Sequence, residues 1–225
     1  MRAFPVEYDM VRRRLNPMIR CVISDLGKVV LFFDNHIFFR RIARYCPYSA
    51  QDIAGRVHHH LDLVQAFDRG KISAPDFYKE VVQRLEARIE KDAFFQIYND
   101  VFSLNLPVLD LLRNLRTGYR MILLSNTDEE RFGFIKKRFP EIFLFDDYVL
   151  SYEVGYMKPH PQIYREALAI AGVSAAECVF LDDLQANIEG AKGVGMNAIL
   201  YEPRTDLTAE MKKLGVTIQA VPPHG

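Results

Sequence analysis

Three short apolar runs each stop abruptly at polar or acidic side chains. Cys21-Val22-Ile23-Ser24 leads into Asp25, Met121-Ile122-Leu123-Leu124 into Ser125, and Cys178-Val179-Phe180-Leu181 into Asp182 and Asp183. The runs are continuous rather than alternating, the pattern of parallel strands covered on both faces. Parallel strands need crossover segments, and helical apolar spacing fills residues 107–117, 161–171 and 185–194. Strands are expected at 20–24, 119–124, 147–151, 178–181 and 197–201. The fold class that follows is α/β, a doubly wound parallel sheet. In such sheets the carboxyl ends of the strands open on one crevice, where the polar residues that end these runs would meet. The first of the helices should end at Gly118, in the role of a C-terminal capping glycine.

Between the first two strands the pattern changes. Residues 35–103 contain no convincing strand but several helical stretches, among them NHIFFRRIARY, HHHLDLVQAFDRG, SAPDFYKEVVQRLEA and KDAFFQIYNDVF. The third opens with Ser73, places Pro75 in its first turn and Asp76 three residues after the serine, and then repeats Phe77, Val81 and Leu85. A helical block inserted directly after the Asp25 strand is expected to form an α-helical cap over that strand end. The expected organisation is a core of residues 1–34 and 104–225 with a cap of residues 35–103, a size that 225 residues accommodate. The final VPPHG is expected to fray.

Charge narrows the partners. Lys and Arg total 29, as do Asp and Glu, so no global field attracts nucleic acid or an anionic membrane. No apolar run approaches the length of a membrane span, and the N-terminal stretch has no signal-like apolar region. Cys21, Cys46 and Cys178 are far apart in sequence and form no C-x-x-C motif, which suits a reducing compartment. A cytoplasmic protein is expected; oligomeric state is not encoded in any feature of the chain.

Four signals carry chemistry, and each has a plain structural reading beside it. Asp25 after a strand can be a turn former or a nucleophile. Ser125-Asn126-Thr127 can cap a helix or hold an anion with hydroxyl and backbone N–H groups. Lys158, before Pro159, can be a solvated loop charge or a point charge on a phosphoryl oxygen. Asp182 and Asp183 can cap the next helix, although adjacent carboxylates at a strand end favour a hard cation. All four fall at the same edge of the expected sheet.

Taken in order, Asp25, Ser125, Lys158 and Asp182-Asp183, with a helical insert after the first, resemble the haloacid dehalogenase superfamily of phosphohydrolases. The phrases LSNT, VGYMKPHPQIY and FLDDLQANIEGAKGVGM carry the likeness, which spans about residues 20–202. FDRGKISAPDFYKEV further resembles a subgroup containing bacterial glucose-1-phosphate phosphatases and the N-terminal domain of soluble epoxide hydrolases. The resemblance implies an aspartyl-phosphate mechanism on a small phosphorylated metabolite, with Asp25 as nucleophile. Ser125 and the Asn126 N–H would hold phosphoryl oxygens, and Lys158 would neutralise charge with Glu153 orienting it. Mg²⁺ would sit on Asp25, the Gly27 carbonyl and Asp183, with Asp182 bound directly or through water.

One position departs from the family pattern D-x-D-G-[TV]. The second Asp, which protonates the leaving group, is Gly27 here, and Lys28 stands where the glycine usually does. General acid–base catalysis contributes about 10²- to 10⁴-fold in rate, so a slowed enzyme is expected rather than a dead one. Either the leaving group needs little protonation, as in an anomeric sugar, aryl or acyl phosphate, or a cap residue or Asp34 supplies the proton. His58, His59 and His60 are titratable, but successive helical residues fan out by about 100° and cannot all face one site. Lys28 either lends positive charge near the phosphate or points to solvent, the reading we favour. GAKGVG lacks dinucleotide-motif spacing and is read as close helix packing. Two rivals remain open: a metal-independent dehalogenase-type hydrolase, and an impaired binding or regulatory protein.

Overall fold

The computed structural model describes residues 18–218, so the N-terminal 17 residues and the expected frayed VPPHG lie outside the described residues. In chain order the strands are β1 (Cys21–Ser24), β2 (Leu31–Phe33), β3 (Phe102–Leu104), β4 (Arg120–Ser125), β5 (Asp147–Leu150), β6 (Cys178–Asp182) and β7 (Asn197–Leu200). The helices are α1 (Asn35–Ile42), α2 (Ala50–His59), α3 (Leu61–Asp68), α4 (Ala74–Arg84), α5 (Lys91–Asn99), α6 (Leu106–Leu115), α7 (Glu129–Arg138), α8 (Ser151–Val154), α9 (Pro161–Ala171), α10 (Gln185–Gly193) and α11 (Leu207–Lys213).

One five-stranded sheet runs β5-β4-β1-β6-β7, every pair parallel. Because side chains alternate across a strand, each continuous apolar run feeds two cores. Val22, Met121, Leu123, Val179 and Leu181 join Leu109 and Leu112 of α6 on one side. Cys21, Ile23, Ile122, Leu124 and Phe180 join Ile163, Tyr164 and Ala167 of α9 on the other. The doubly wound sheet expected from the runs is therefore what forms. The central strand β1 sets Cys21 opposite Cys178 in register, a neighbour relation that their separation in sequence conceals.

Helices α1 to α5 surround a third, aromatic-rich core. Phe67 stacks on Phe77 at 4.3 Å between ring centres, and Phe94 on Tyr98 at 5.7 Å. Such pairs contribute about 0.5–1.5 kcal/mol each beyond their burial. Ser73 caps α4 as its spacing suggests, accepting the Asp76 N–H.

Three details differ from expectation. Helix α6 ends at Leu115, and Gly118 does not take a left-handed conformation. The Gly118 N–H instead returns to the Leu115 carbonyl, while the Thr117 hydroxyl donates to that of Asn114. Strands β2 and β3 form an antiparallel ribbon joining the two ends of the helical insert, too short to leave a periodic signal. Helix α2 stands apart from α3, so that His58 and His59 close one helix and His60 links it to the next. Among the described residues no helix is long and apolar enough to cross a membrane.

Candidate active site

Asp25 continues β1 by one residue, its N–H donating to the Leu181 carbonyl of β6 at 2.8 Å. The chain then tightens. Val30 and Leu31 both donate to the Leu26 carbonyl, and Lys28 donates to that of Leu31 at 2.6 Å. This turn forces Lys28 to φ +57°, a left-handed conformation that costs a residue bearing a Cβ about 1–2 kcal/mol.

Lys158 is the hub of the site. Its Nζ lies 2.7 Å from Asp25 Oδ1 and 2.7 Å from Asp182 Oδ2, and it is 5% exposed. The Asn126 side chain holds the Lys158 backbone at both ends, accepting its N–H at 2.8 Å and donating to its carbonyl at 3.0 Å. Asp182 is fully buried and commits both oxygens. Oδ1 takes the Leu184 N–H and the Asn187 amide, while Oδ2 takes Lys158 and the same amide. On Asp25 both bonds, from Lys158 and from the Leu26 N–H, fall on Oδ1.

One ammonium shared by two buried carboxylates cannot satisfy both. Burial pushes the Asp25 carboxyl up, to about 7, and the charge of Asp182 adds to the rise that Lys158 opposes. Burial also works against the charge on Lys158, yet Asp25 and Asp182 together hold it above the ordinary lysine range. Asp183 is raised too, by burial first and by Asp182 second, with Lys28 and Lys158 pulling the other way.

Ligand atoms of Asp25, Asp182 and Asp183 lie within 4.8 Å of one another. Three carboxylates around one ammonium leave excess negative charge on oxygen donors, and a hard divalent cation such as Mg²⁺ fits that set. Asp183 and Asp25 suit direct contact best, because the oxygens of Asp182 are already engaged.

A cleft of about 190 Å³ opens above this cluster, lined by Asp25, Asn126, Lys158 and Asp183 together with Gly27, Lys28 and Phe33. Ser125, 3% exposed at the end of β4, is not among the lining residues; Asn126 beside it is. The Thr127 N–H that follows is taken by the Ser151 hydroxyl.

Other expectations need correction. Glu153 is exposed, accepts from the Tyr152 hydroxyl and forms no ion pair with Lys158; Asp182 and Asn126 position the lysine instead. Asp34 is spent as the N-cap of α1, accepting the His36 N–H, and does not line the cleft. His58, His59 and His60 are all exposed and do not line it, in keeping with the surface run that their fan-out along a helix favours. Lys28 is exposed, in keeping with the solvent reading, and also lines the cleft, its Nζ 5.7 Å from the centre of the Phe33 ring. Gly190 within GAKGVG does serve close packing, since a Cβ there would stand 2.9 Å from both the Pro159 carbonyl oxygen and the Tyr164 ring.

Two contributors went unnoticed in the sequence. Asn187, 4% exposed in the first turn of α10, was detectable only as a polar residue on a buried helix face. Phe33 sits on a three-residue strand with no distinguishing pattern.

Fold and cluster together define an α/β enzyme class whose acidic centre lies at the carboxyl edge of a parallel sheet. Comparison with known proteins makes this specific: the chain belongs to the haloacid dehalogenase-like hydrolases, whose family pattern matches residues 14–195. It is 27% identical over 206 residues to a D-ribitol-5-phosphate phosphatase of Bacteroides thetaiotaomicron, covering 86% of this chain and 97% of that protein. Over 117 residues it is 29% identical to the bifunctional epoxide hydrolase 2 of Rattus norvegicus, a match spanning 50% of this chain but only 21% of the relative. A haloacid dehalogenase family enzyme of Bacteroides thetaiotaomicron, solved in complex with magnesium and inorganic phosphate, shares the fold. Its TM-score is 0.75 at 24% identity, covering 85% of this chain and 98% of that one.

Proposed function

We propose that this chain is a Mg²⁺-dependent phosphatase that hydrolyses a small phosphorylated metabolite through an aspartyl-phosphate. The observation that carries the reading is the lysine-centred carboxylate cluster on the cleft, where Asp25 lines the opening and shares one ammonium with Asp182. The likeness to a D-ribitol-5-phosphate phosphatase supports a small phosphorylated substrate.

In this reading a carboxylate oxygen of Asp25 attacks phosphorus in line with the bond to the leaving group. That bond breaks with its electron pair on the leaving oxygen, and water then cleaves the aspartyl-phosphate to restore Asp25. The Asn126 N–H and Lys158, both on the cleft, would hold the phosphoryl oxygens and meet the charge that spreads over them, with the Ser125 hydroxyl at the adjacent strand end as a further donor. Asp25, the Gly27 carbonyl and Asp183 would hold Mg²⁺, with Asp182, whose oxygens are already engaged, contributing its charge from beside the ion. The ion, when bound, adds positive charge against the phosphoryl oxygens. Residues 1–34 and 104–225 act as the catalytic core and residues 35–103 as a cap that excludes water and selects the substrate.

Gly27 leaves the leaving group without a carboxylic acid, so substrates with easily released alcohols are favoured, a sugar 1-phosphate among them. The test is phosphate release from glucose 1-phosphate, glucose 6-phosphate and p-nitrophenyl phosphate, with Mg²⁺ and with chelator, against Asp25→Asn. We expect metal-dependent turnover that favours the anomeric and aryl esters. Turnover that survives chelation would point to metal-free chemistry. Its complete absence, with Mg²⁺ and phosphate still bound, would point to a binding protein.

A further inference from the structure

The region of the cleft nearest Gly27 does not merely lack a carboxylate. A Cβ built on Gly27 would stand 3.1 Å from Cε1 of Phe33, so the ring crowds the space an aspartate side chain would use and would have to give by a few tenths of an ångström. That ring carries the Lys28 ammonium at 5.7 Å, a cation–π distance. Lys28 also lines the cleft beside Asp25 and Asp183. Its backbone is left-handed, a conformation a glycine would adopt without strain. A strained residue on a cleft points to a role for its side chain.

We propose that Lys28 is the leaving-group residue, its ammonium donating a hydrogen bond to the oxygen that departs from phosphorus. This rests on the phosphatase reading above. As the Asp25–phosphorus bond forms and the phosphorus–oxygen bond breaks, the leaving oxygen takes the electron pair. Lys28 meets that negative charge while keeping its own proton, and the departing anion collects a proton from bulk water. A fixed cation stabilises an oxyanion but cannot rescue one too basic to leave. The substrate class is therefore phosphoryl compounds with acidic leaving groups, such as enol, aryl or anomeric hydroxyls, rather than simple alkyl alcohols.

The experiment measures kcat/KM with saturating Mg²⁺ for a graded series of substituted phenyl phosphates and for glucose 6-phosphate. It compares the native chain with Lys28→Met, Lys28→Arg and Lys28→Gly. Lys28→Met is expected to steepen the dependence on leaving-group basicity, losing about 10- to 100-fold on the poorest phenols and little on the best. Lys28→Arg keeps the native slope. Lys28→Gly shares the steep slope while melting at a higher temperature than the native chain, which separates the ammonium from any structural contribution. An equal loss on every substrate, or no loss on any, overturns the assignment and leaves the phosphatase reading standing. No turnover by the native chain on any ester overturns both.

Discussion

Among the described residues, two buried charge clusters resolve the same electrostatic problem differently. In the cleft, Lys158 bridges Asp25 and Asp182 at the ends of β1 and β6. At the start of α7, Arg131 stands 3.8 Å from Asp128 and lays its guanidinium over the Tyr98 ring at 4.2 Å, while the Tyr98 hydroxyl donates to Asp128. Asp68, at the end of α3, completes the second group, pushed up to about 7 by burial first and by the charge of Asp128 second. Each cluster has more carboxylates than cations. The first is open on a cleft, where a metal ion can supply the missing charge. The second packs under aromatic rings from the helical insert, with a half-buried Asp68 at its edge that a proton can neutralise. Excess buried acid marks a functional site when something besides a proton has room to answer it.

The largest effect that separates the two comes from Asp25→Asn. In the proposed mechanism it removes the nucleophile, and turnover should fall on the order of 10⁴-fold or more. Yet the variant should melt higher than the native chain in chelator at pH 8, because it deletes a carboxylate that the metal-free site holds at a cost. Parallel assays and thermal melts check both signs; a lower melting temperature would mean that Asp25 is adequately neutralised by Lys158 alone. Lys158→Met comes next. It leaves Asp25 and Asp182 buried without their cation, and breaking a buried pair from one side costs about 3–5 kcal/mol. Urea titration should show that loss shrinking when Mg²⁺ is added. A loss indifferent to Mg²⁺ would separate Lys158 from the metal site.

The same contrast explains what could be read from the sequence. Asp25, Ser125, Asp182 and Asp183 announced themselves because each ends a continuous apolar strand, a local signal that a parallel sheet converts into proximity. Lys158 was readable only in company with them. Asp128, Arg131, Tyr98 and Asp68 come from separate helices with no shared pattern, and only tertiary packing joins them. Phe33 and the left-handed turn at Lys28 were hidden for a different reason. The absence of a side chain at Gly27 is visible in the sequence, but what closes over that space is decided by a three-residue strand pairing with another 71 positions further along, Leu31 with Leu104 at one end. Glu153 misled because its role came with the family resemblance, whereas here its carboxylate is exposed and is engaged by the Tyr152 hydroxyl.

Arg131→Met is the counterpart of Lys158→Met in the closed cluster. It strips the cation from Asp128, which is fully buried and already raised by burial, and removes the stacking on Tyr98. We expect a loss of about 2–4 kcal/mol, slightly below that of Lys158→Met because Asp128 keeps the Arg131 backbone N–H and the Tyr98 hydroxyl as donors. Added Mg²⁺ should not recover it. Urea melts of the two variants, each with and without Mg²⁺, would place them side by side, and metal rescue of Arg131→Met would erase the distinction between the clusters.

The smallest expected effect is the most specific to the proton-answered cluster. Asp68 has a folded value of about 7, above its unfolded value near 3.8, so its protonated form is favoured by folding. The stability it adds is fully present below pH of about 4 and is lost as pH rises through about 7. Asp25 shifts in the same direction in the absence of metal, so the measurement belongs in an Asp25→Asn background, where that contribution is gone. There, Asp68→Asn should flatten the fall in stability between pH 4 and 8 by about 1 kcal/mol, a value reduced because Asp68 is only partly shielded from water. The Ser151 hydroxyl still donates to the Asp68 carbonyl in either variant, so any change in slope reports the carboxyl and not the loss of that tie between α3 and α8. Denaturant titrations at pH 5 and pH 8 decide it. If the two slopes coincide, Asp68 ionises freely beside Asp128, and the second cluster tolerates excess negative charge without the proton that the comparison requires.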